Sequence, residues 1–428
     1  MNNKKFWFID VPSWSIILMP ILLVSGPLLS DFALSLVSIL FLINSYKNNL
    51  KKYYNNIYFK LFLVFCIVLI ISSLQSNNIL LSLKNSFFYF RFGIFSLCFW
   101  YLLDKNSRLL KYLFYSVIIC FLALIVDGYI QYLLGENLLG TKLYNKYRVS
   151  SFFGDELILG SYLARFFPIL FGLFVFFDEM KKNKKLLLLI TLIFILSEGL
   201  IFLSGERLAL FYMNLSAVFI IIMINNYKFY RLITYIGSIF LITILLIIFP
   251  QSKERFIDKT IYDFTRNSDN KIYIFSKPHN HMYIAGYKMF LDNKLLGVGP
   301  RQFRNECKYY PIKETRVSEN EIVSPYHCSS HPHNTYVELL SETGIIGFLF
   351  VFLLFIIIVI ASLKHLYSKF LKKKNFYFND FEVCLLSSLI ISIWPFAPSG
   401  SFFNNWMSIV YFFPIGMLLW QLERKKNK

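Results

Sequence analysis

Charge almost vanishes from twelve stretches of the chain. They fall near residues 13–29, 32–46, 60–75, 86–103, 112–134, 157–177, 185–203, 208–225, 231–249, 336–361, 382–397 and 406–421. Each approaches the roughly 20 residues with which an α-helix crosses a bilayer. Backbone inside lipid must satisfy its own hydrogen bonds, so only helices or closed barrels cross it. The alternating runs of about ten residues that build a barrel do not occur. The pattern predicts an all-α polytopic membrane protein with about twelve transmembrane helices. The first run is followed at once by the second, with no small-residue cleavage pattern, so no removable signal is expected.

The segments between the runs carry charge unevenly. With the amino terminus placed inside, the inner loops (1–12, 46–60, 104–111, 178–185, 226–231, 362–375 and 422–428) hold 24 Lys and Arg. The short outer loops (30–31, 76–85, 135–156, 204–207 and 398–405) hold 5. Basic residues collect in cytoplasmic loops, so both termini are predicted inside. Composition narrows the class further. The 428 residues are 56% apolar and 16% charged, against about 45–50% and 25% in soluble domains. Two-domain soluble enzymes, disordered chains and fibrous proteins are excluded. A net charge of +19 in a soluble protein would point to nucleic acid. Here the inner loops account for most of it, and no nucleic-acid partner is expected.

One polar segment is too long to be a connector. Residues 250–335 lie outside in this topology, and a loop of that length is a candidate for function. The expected organisation is therefore 1–249 with nine helices, 250–335 as an outer loop, and 336–428 with three more. Within the loop, 281–291 reads as an amphipathic helix, with Met282, Ala285, Met289 and Phe290 at helical spacing. It is expected on the membrane surface, ended by Asn293 and Gly297. Cys307 and Cys328 are the only cysteines of this loop and are predicted to be bonded, as suits an oxidising compartment. Cys66, Cys98, Cys120 and Cys384 fall in the apolar runs and read as packing residues.

The densest polar cluster is 327–336, where His327, His331 and His333 fall within seven residues. His331-Pro332-His333 without a nearby carboxylate is a weak metal signal, and no metal is expected. One reading is a catalytic base at the start of a helix opened by Pro332, whose free N–H groups face an anion. The other is histidines that cap a helix. Arg207, in the outer turn 204–207, is placed against the charge bias, and a guanidinium there suits a phosphate. Arg91 and Arg165 lie inside apolar runs and are expected to be structural, neutralised by Asp127 and Glu156.

These residues resemble the O-antigen ligase and polymerase superfamily. His331-Pro332-His333-Asn334-Thr335-Tyr336, followed by Glu342-Thr343-Gly344-Ile345-Ile346-Gly347, is similar to its H-x-H-N-x-Y and E-x-G-x-x-G signature. Ser204-Gly205-Glu206-Arg207 resembles its S-G-x-R turn, and Gly297-Val298-Gly299-Pro300-Arg301-Gln302-Phe303 its G-x-G-x-x-x-F segment. The resemblance spans about residues 120–350 and implies a bacterial inner-membrane glycosyltransferase, inverting and metal-independent, without cofactor. Its donor would be a glycan on undecaprenyl diphosphate. Its acceptor would be lipid A–core or another glycan, reached on the periplasmic side. His333 would be the general base and Arg207 would hold the diphosphate, with His331, Asn334 and Tyr336 in the substrate site. Where the family often has a second loop arginine, this chain reads His279-Asn280-His281. His281, or Arg301 with Arg304, would supply that charge. Lys294 stands where the family often has proline.

The loop's place between the ninth and tenth spans and the short carboxyl tail favour a ligase over a polymerase. A transporter would fit twelve spans but predicts repeated halves with broken helices, which the sequence lacks. A scaffold would not call for an arginine in the 204–207 turn.

Overall fold

The computed structural model describes residues 5–145, 147–178, 183–265, 275–315, 321–323, 326–371 and 377–426. The regular elements of the described residues are helices apart from one short antiparallel hairpin, Lys313–Thr315 with Glu321–Val323, and two isolated bridges, Glu136 with Lys142 and Tyr144 with Arg148. In chain order the main helices are α1 (Val11–Val24), α2 (Pro27–Asn48), α3 (Ile57–Leu74), α4 (Phe90–Lys105), α5 (Leu109–Leu134), α6 (Leu159–Asp178) and α7 (Lys184–Ser204). They continue with α8 (Arg207–Met223), α9 (Lys228–Ile248), α10 (Lys277–Asp292), α11 (Thr335–Phe370), α12 (Asp380–Ser392) and α13 (Asn405–Lys426).

All twelve apolar stretches fall at least in part on helices, the first across the break between α1 and α2, and the predicted amphipathic helix is α10. Among the described residues, nine helices are long and apolar enough to cross a bilayer. Three of the expected spans fall outside that set for different reasons. α8 is apolar but only 17 residues long. α13 interleaves Asn405, Ser408, Tyr411, Pro414 and Gln421 with its apolar residues, which lowers its mean hydropathy. α12 has 13 residues, so the stretch read as 382–397 is helical only in its first part. Residues 381–392 are all buried, and α12 is enclosed by α6, α8 and α13. Asn379 and Glu382 start it with a reciprocal capping box.

Local chemistry sets the helix ends. Asn56 and Asn183 cap α3 and α7 through their side chains. Gly135 and Gly205 end α5 and α7 in the left-handed conformation. Small residues let helices approach where lipid gives no hydrophobic drive for association. A Cβ on Gly416 of α13 would stand 2.7 Å from Phe99 Cβ of α4, and one on Gly172 of α6 would stand 2.7 Å from Cys384 Cβ of α12.

α11 is the element that shapes the site. It is not continuous, because Gly344 interrupts it with φ 62° and ψ −167°. The opened turn pairs with the segment after α10. Val298 N–H donates to Ser341 O (3.0 Å), Gly299 N–H to Glu342 O (2.9 Å), and Ile345 N–H to Lys294 O (2.8 Å). The two chains come so close that a Cβ on Gly297 would lie 2.3 Å from the Glu342 carbonyl carbon. One on Gly344 would lie 2.3 Å from the Leu295 carbonyl group. Both glycines also need positive φ. The two glycine motifs seen in sequence are thus the two sides of one junction. α10 itself packs along α11, burying Met282, Ala285, Gly286 and Met289.

Candidate active site

The histidine segment is a tight hairpin leading into α11. His333 has φ +54°, a left-handed conformation uncommon outside glycine. Its carbonyl is held by Ser399 N–H (2.8 Å) and the Tyr283 hydroxyl (3.3 Å). Asn334, not Pro332, is the N-cap of the helix, and its Oδ1 accepts from Tyr336 N–H (2.9 Å) and Val337 N–H (3.1 Å). Thr335 N–H donates to Ser399 Oγ (2.9 Å). The first N–H groups of α11 are therefore committed within the fold, and the open helix end read from sequence is closed. Asn334 Nδ2 donates to Pro395 O and Ala397 O, and the Tyr336 hydroxyl to Ile393 O. Asn334 and Tyr336 are buried, and their polar atoms hold the 393–399 strap against the hairpin.

The imidazoles gather above this frame. The rings of His331 and His333 lie 4.0 Å apart, and the His279 ring of α10 meets His333 edge-on at 5.7 Å. Ser276 Oγ pairs with His279 Nδ1 at 2.6 Å, and Ser330 Oγ with His331 Nδ1 at 3.0 Å. Burial pushes His333 below its ordinary value. Burial, then the neighbouring His333, pushes His331 down to about 3, helped by Arg304 and Arg301. Both rings are thus neutral at pH 7, the form that accepts a proton. Among the described residues no three His, Cys, Asp or Glu side chains form a metal-sized cluster.

Two buried carboxylates of α11 fix the neighbouring loops. Glu342 accepts from the backbone N–H groups of Arg301 (2.6 Å) and Phe303 (2.8 Å). Glu338 accepts from Ser401 Oγ (2.6 Å) and Phe402 N–H (2.7 Å). Arg301, itself at φ +61°, is thereby brought beside the histidines. Burial and the adjacent Arg304 lower its guanidinium, against the raising fields of Glu338 and Glu342. Cys307 and Cys328 are joined, Cα to Cα 5.2 Å, linking the segment after Arg301 to the histidine hairpin. His281 is buried on α10.

A second basic centre surrounds the turn between α7 and α8. Arg148 Nε donates to Ser204 O (2.8 Å) and Arg255 Nε to Gly205 O (2.6 Å). A Cβ on Gly205 would lie within 3.0 Å of both Nε atoms. Burial first, then the charge of Arg255, lowers Arg148, and burial and then Arg207 lower Arg255. Arg207 Nη1 donates to Thr260 Oγ1 (2.8 Å). Glu206 turns the other way, its carboxylate accepting from Gly160 N–H (2.7 Å) and Ser161 N–H (3.0 Å) at the start of α6. Burial raises it to about 7, opposed by those two bonds and by Arg148. Sequence reading found Arg207 alone. Arg148 and Arg255 lie 59 and 48 positions from it, in segments with no motif to join them.

The two centres share one end of the bundle. Tyr212, about 8 Å along α8 from Arg207 at 1.5 Å per residue, donates its hydroxyl to Pro398 O (3.2 Å). The next residue, Ser399, holds His333. Residues 190–352 match the family described as O-antigen ligase (Wzy_C). This segment is similar to that family. It runs from α7 through the arginine turn, the loop and α10 into α11, and so contains Arg207, Arg255, His279, Arg301 and His333. Arg148 and Arg165 precede it. No curated protein matches the chain. With nine helices among the described residues long and apolar enough to cross a bilayer, the chain is a multi-pass membrane protein, and its segment 190–352 is similar to the O-antigen ligase family.

Two pairings expected from sequence are corrected. Arg91 is neutralised by Asp31 (2.6 Å), not by Asp127 or Glu156. Asp127 instead accepts from Leu138 N–H (3.0 Å) and the Ser151 hydroxyl (2.6 Å) in the loop after α5. Glu156 is exposed.

Proposed function

We propose that the protein transfers a glycan from undecaprenyl diphosphate to a sugar hydroxyl of lipid A–core, on the periplasmic face of the bacterial inner membrane. The chain crosses twelve times with both termini inside, and 250–335 is the periplasmic loop. The observation that carries this reading is a half-buried His333, held below the ordinary histidine value by burial, at the same bundle end as an arginine-rich turn, within the segment that matches the O-antigen ligase family. His333 takes the acceptor proton as the acceptor oxygen attacks the anomeric carbon, a role that suits an imidazole. The bond from that carbon to the diphosphate oxygen breaks on the opposite side, so configuration inverts. The electron pair stays on the leaving phosphate. Arg207, with Arg148 and Arg255, neutralises it, and fixed cations are most effective where charge develops. Asn334 and Tyr336 position His333 through the 393–399 strap, and Arg301 and His281 complete the polar surround. The reaction draws on no cofactor.

The test is the glycan profile of a strain lacking the protein. Bare core with intact lipid-linked polymer is the expected result. Core carrying a single repeat would instead assign a polymerase that joins repeat to repeat. An unchanged surface glycan with altered export of a small solute would overturn the transferase reading in favour of a transporter.

A further inference from the structure

Two of the arginines within the described helices meet a negative partner, and a third does not. Arg91 pairs with Asp31. Arg231 donates to the carbonyls of Ile220 and Ile224 at the carboxyl end of α8, the negative end of a helix. Arg165 has neither. It is 2% exposed. Its Nη1 donates to the Ser161 hydroxyl and, at 3.3 Å, to Ser161 O, both neutral. Its guanidinium lies 5.0 Å from the centre of the Tyr212 ring. Its Nε is buried without a hydrogen-bond partner, as is that of Arg91 and Arg231, so the difference lies in the missing counter-charge. Among the described residues no carboxylate pairs with it. The helix makes matters worse. Side chains on a helix reach back toward its amino end, so this guanidinium sits near the start of α6, the positive pole. Glu206, the anion at that pole, already accepts from Gly160 N–H and Ser161 N–H. A buried charge without a counter-ion is strongly unfavourable.

Arg165 also touches residues that lead toward both basic centres. Ser161, which it grips, donates its N–H to Glu206 of the arginine turn (3.0 Å). Tyr212, over whose ring it lies, donates to Pro398 O, next to the Ser399 that holds His333. We infer that Arg165 is an anion-binding residue whose missing counter-ion is the glycan-bearing phosphate of the lipid-linked donor. The inference rests on the reading of the site as a diphosphate-dependent transferase. As the bond between the anomeric carbon and phosphate oxygen breaks and the acceptor oxygen bonds to that carbon, the acceptor proton goes to His333. The electron pair goes to the phosphate oxygen, where Arg165 meets it.

Thermal unfolding of the full-length protein in detergent, with and without inorganic pyrophosphate, tests this. Wild type is stabilised by pyrophosphate. Arg165→Gln, which keeps a donor toward Ser161, unfolds without pyrophosphate at the wild-type temperature or higher, because an unmatched charge has gone. It loses the pyrophosphate shift, and turnover falls about 10²–10³-fold, as for loss of one transition-state donor. A merely structural arginine gives the reverse, a lower unfolding temperature with the shift retained, and that result overturns the inference. Should Arg165→Gln fold poorly, Arg165→Lys decides. It keeps charge but not the guanidinium fork, so a full pyrophosphate shift in that variant also overturns the inference. Wild type that shows no shift does so too. Arg207→Ala separates the two claims. If it loses the shift and Arg165→Gln keeps it, the arginine turn binds the diphosphate and Arg165 does not. If the outcomes are exchanged, Arg165 stands and the turn's role falls.

Discussion

His333 combines three constraints on one side chain: a left-handed backbone, burial, and two neighbouring imidazoles. Strain of this kind persists only where the surroundings over-determine it, and it clusters at functional sites. His333→Ala is expected to cut transfer about 10²–10⁴-fold with the unfolding temperature nearly unchanged; near-normal turnover of the purified variant would remove His333 from the mechanism. His331→Ala should cost less, and chelator should leave the rate unaltered. A zinc site would make His331 equally essential and the enzyme chelator-sensitive. Because burial holds His333 below the ordinary histidine value of about 6.5, the acid limb of the pH–rate profile should lie below that pH. The same shift has a consequence for stability. The unfolded chain binds protons at His331 and His333 before the folded one does, so stability rises with pH over that interval. Acid unfolding that begins well above pH 6.5 would have to involve other groups. At the arginine turn, Arg207→Lys should lose about 2–4 kcal/mol of transition-state stabilisation, since an ammonium cannot pair bidentately; kcat/KM with lipid-linked donor measures it.

The helices were largely legible because their signal is a run of apolar residues at bilayer length. α12 was legible only in part. Its apolar run continues into Trp394, Pro395 and Phe396, and Pro395 belongs to the irregular strap rather than to a helix. The strap's part in the site was invisible, because it acts through the carbonyls of Ile393, Pro395 and Ala397, which no side chain announces. Arg148 and Arg255 were missed for a related reason, since they meet at Gly205 only after folding. The glycines of 297–299 and 344 were visible as motifs, but not as partners. Their pairing gives a graded prediction. Gly297→Ala meets backbone at 2.3 Å as well as a positive φ of 67°. Gly135→Ala has a positive φ of 88° with open space around it. The first should destabilise by well over the roughly 1–2 kcal/mol of left-handed strain, and the second by about that strain alone. Equal unfolding temperatures for the two variants would mean that the junction can relax.

Across the whole protein, the charge asymmetry and the Cys307–Cys328 link bear on the same question of sidedness. A cysteine placed at Lys426 should be shielded from an impermeant maleimide in intact spheroplasts, and one at Asn305 should react. Reaction of both, or the opposite pattern, would invert the topology. Breaking the link in a Cys307→Ala, Cys328→Ala pair should lower stability by about 3 kcal/mol, the loop-closure scale for a ring of this size. The loss should appear as faster proteolysis between α10 and α11 while the helical bundle stays folded.

The interruption at Gly344 divides α11 into two mechanical parts. The nine residues from Thr335 to Thr343 carry the histidine hairpin and are sewn to 294–299. The remainder continues as an ordinary rod in the bilayer. A tug on the hairpin is therefore passed sideways into α10 rather than down the rod. In amide hydrogen exchange this makes a testable unit: 294–299 and 335–343 should open together, while the amides beyond Gly347 stay protected on a longer timescale.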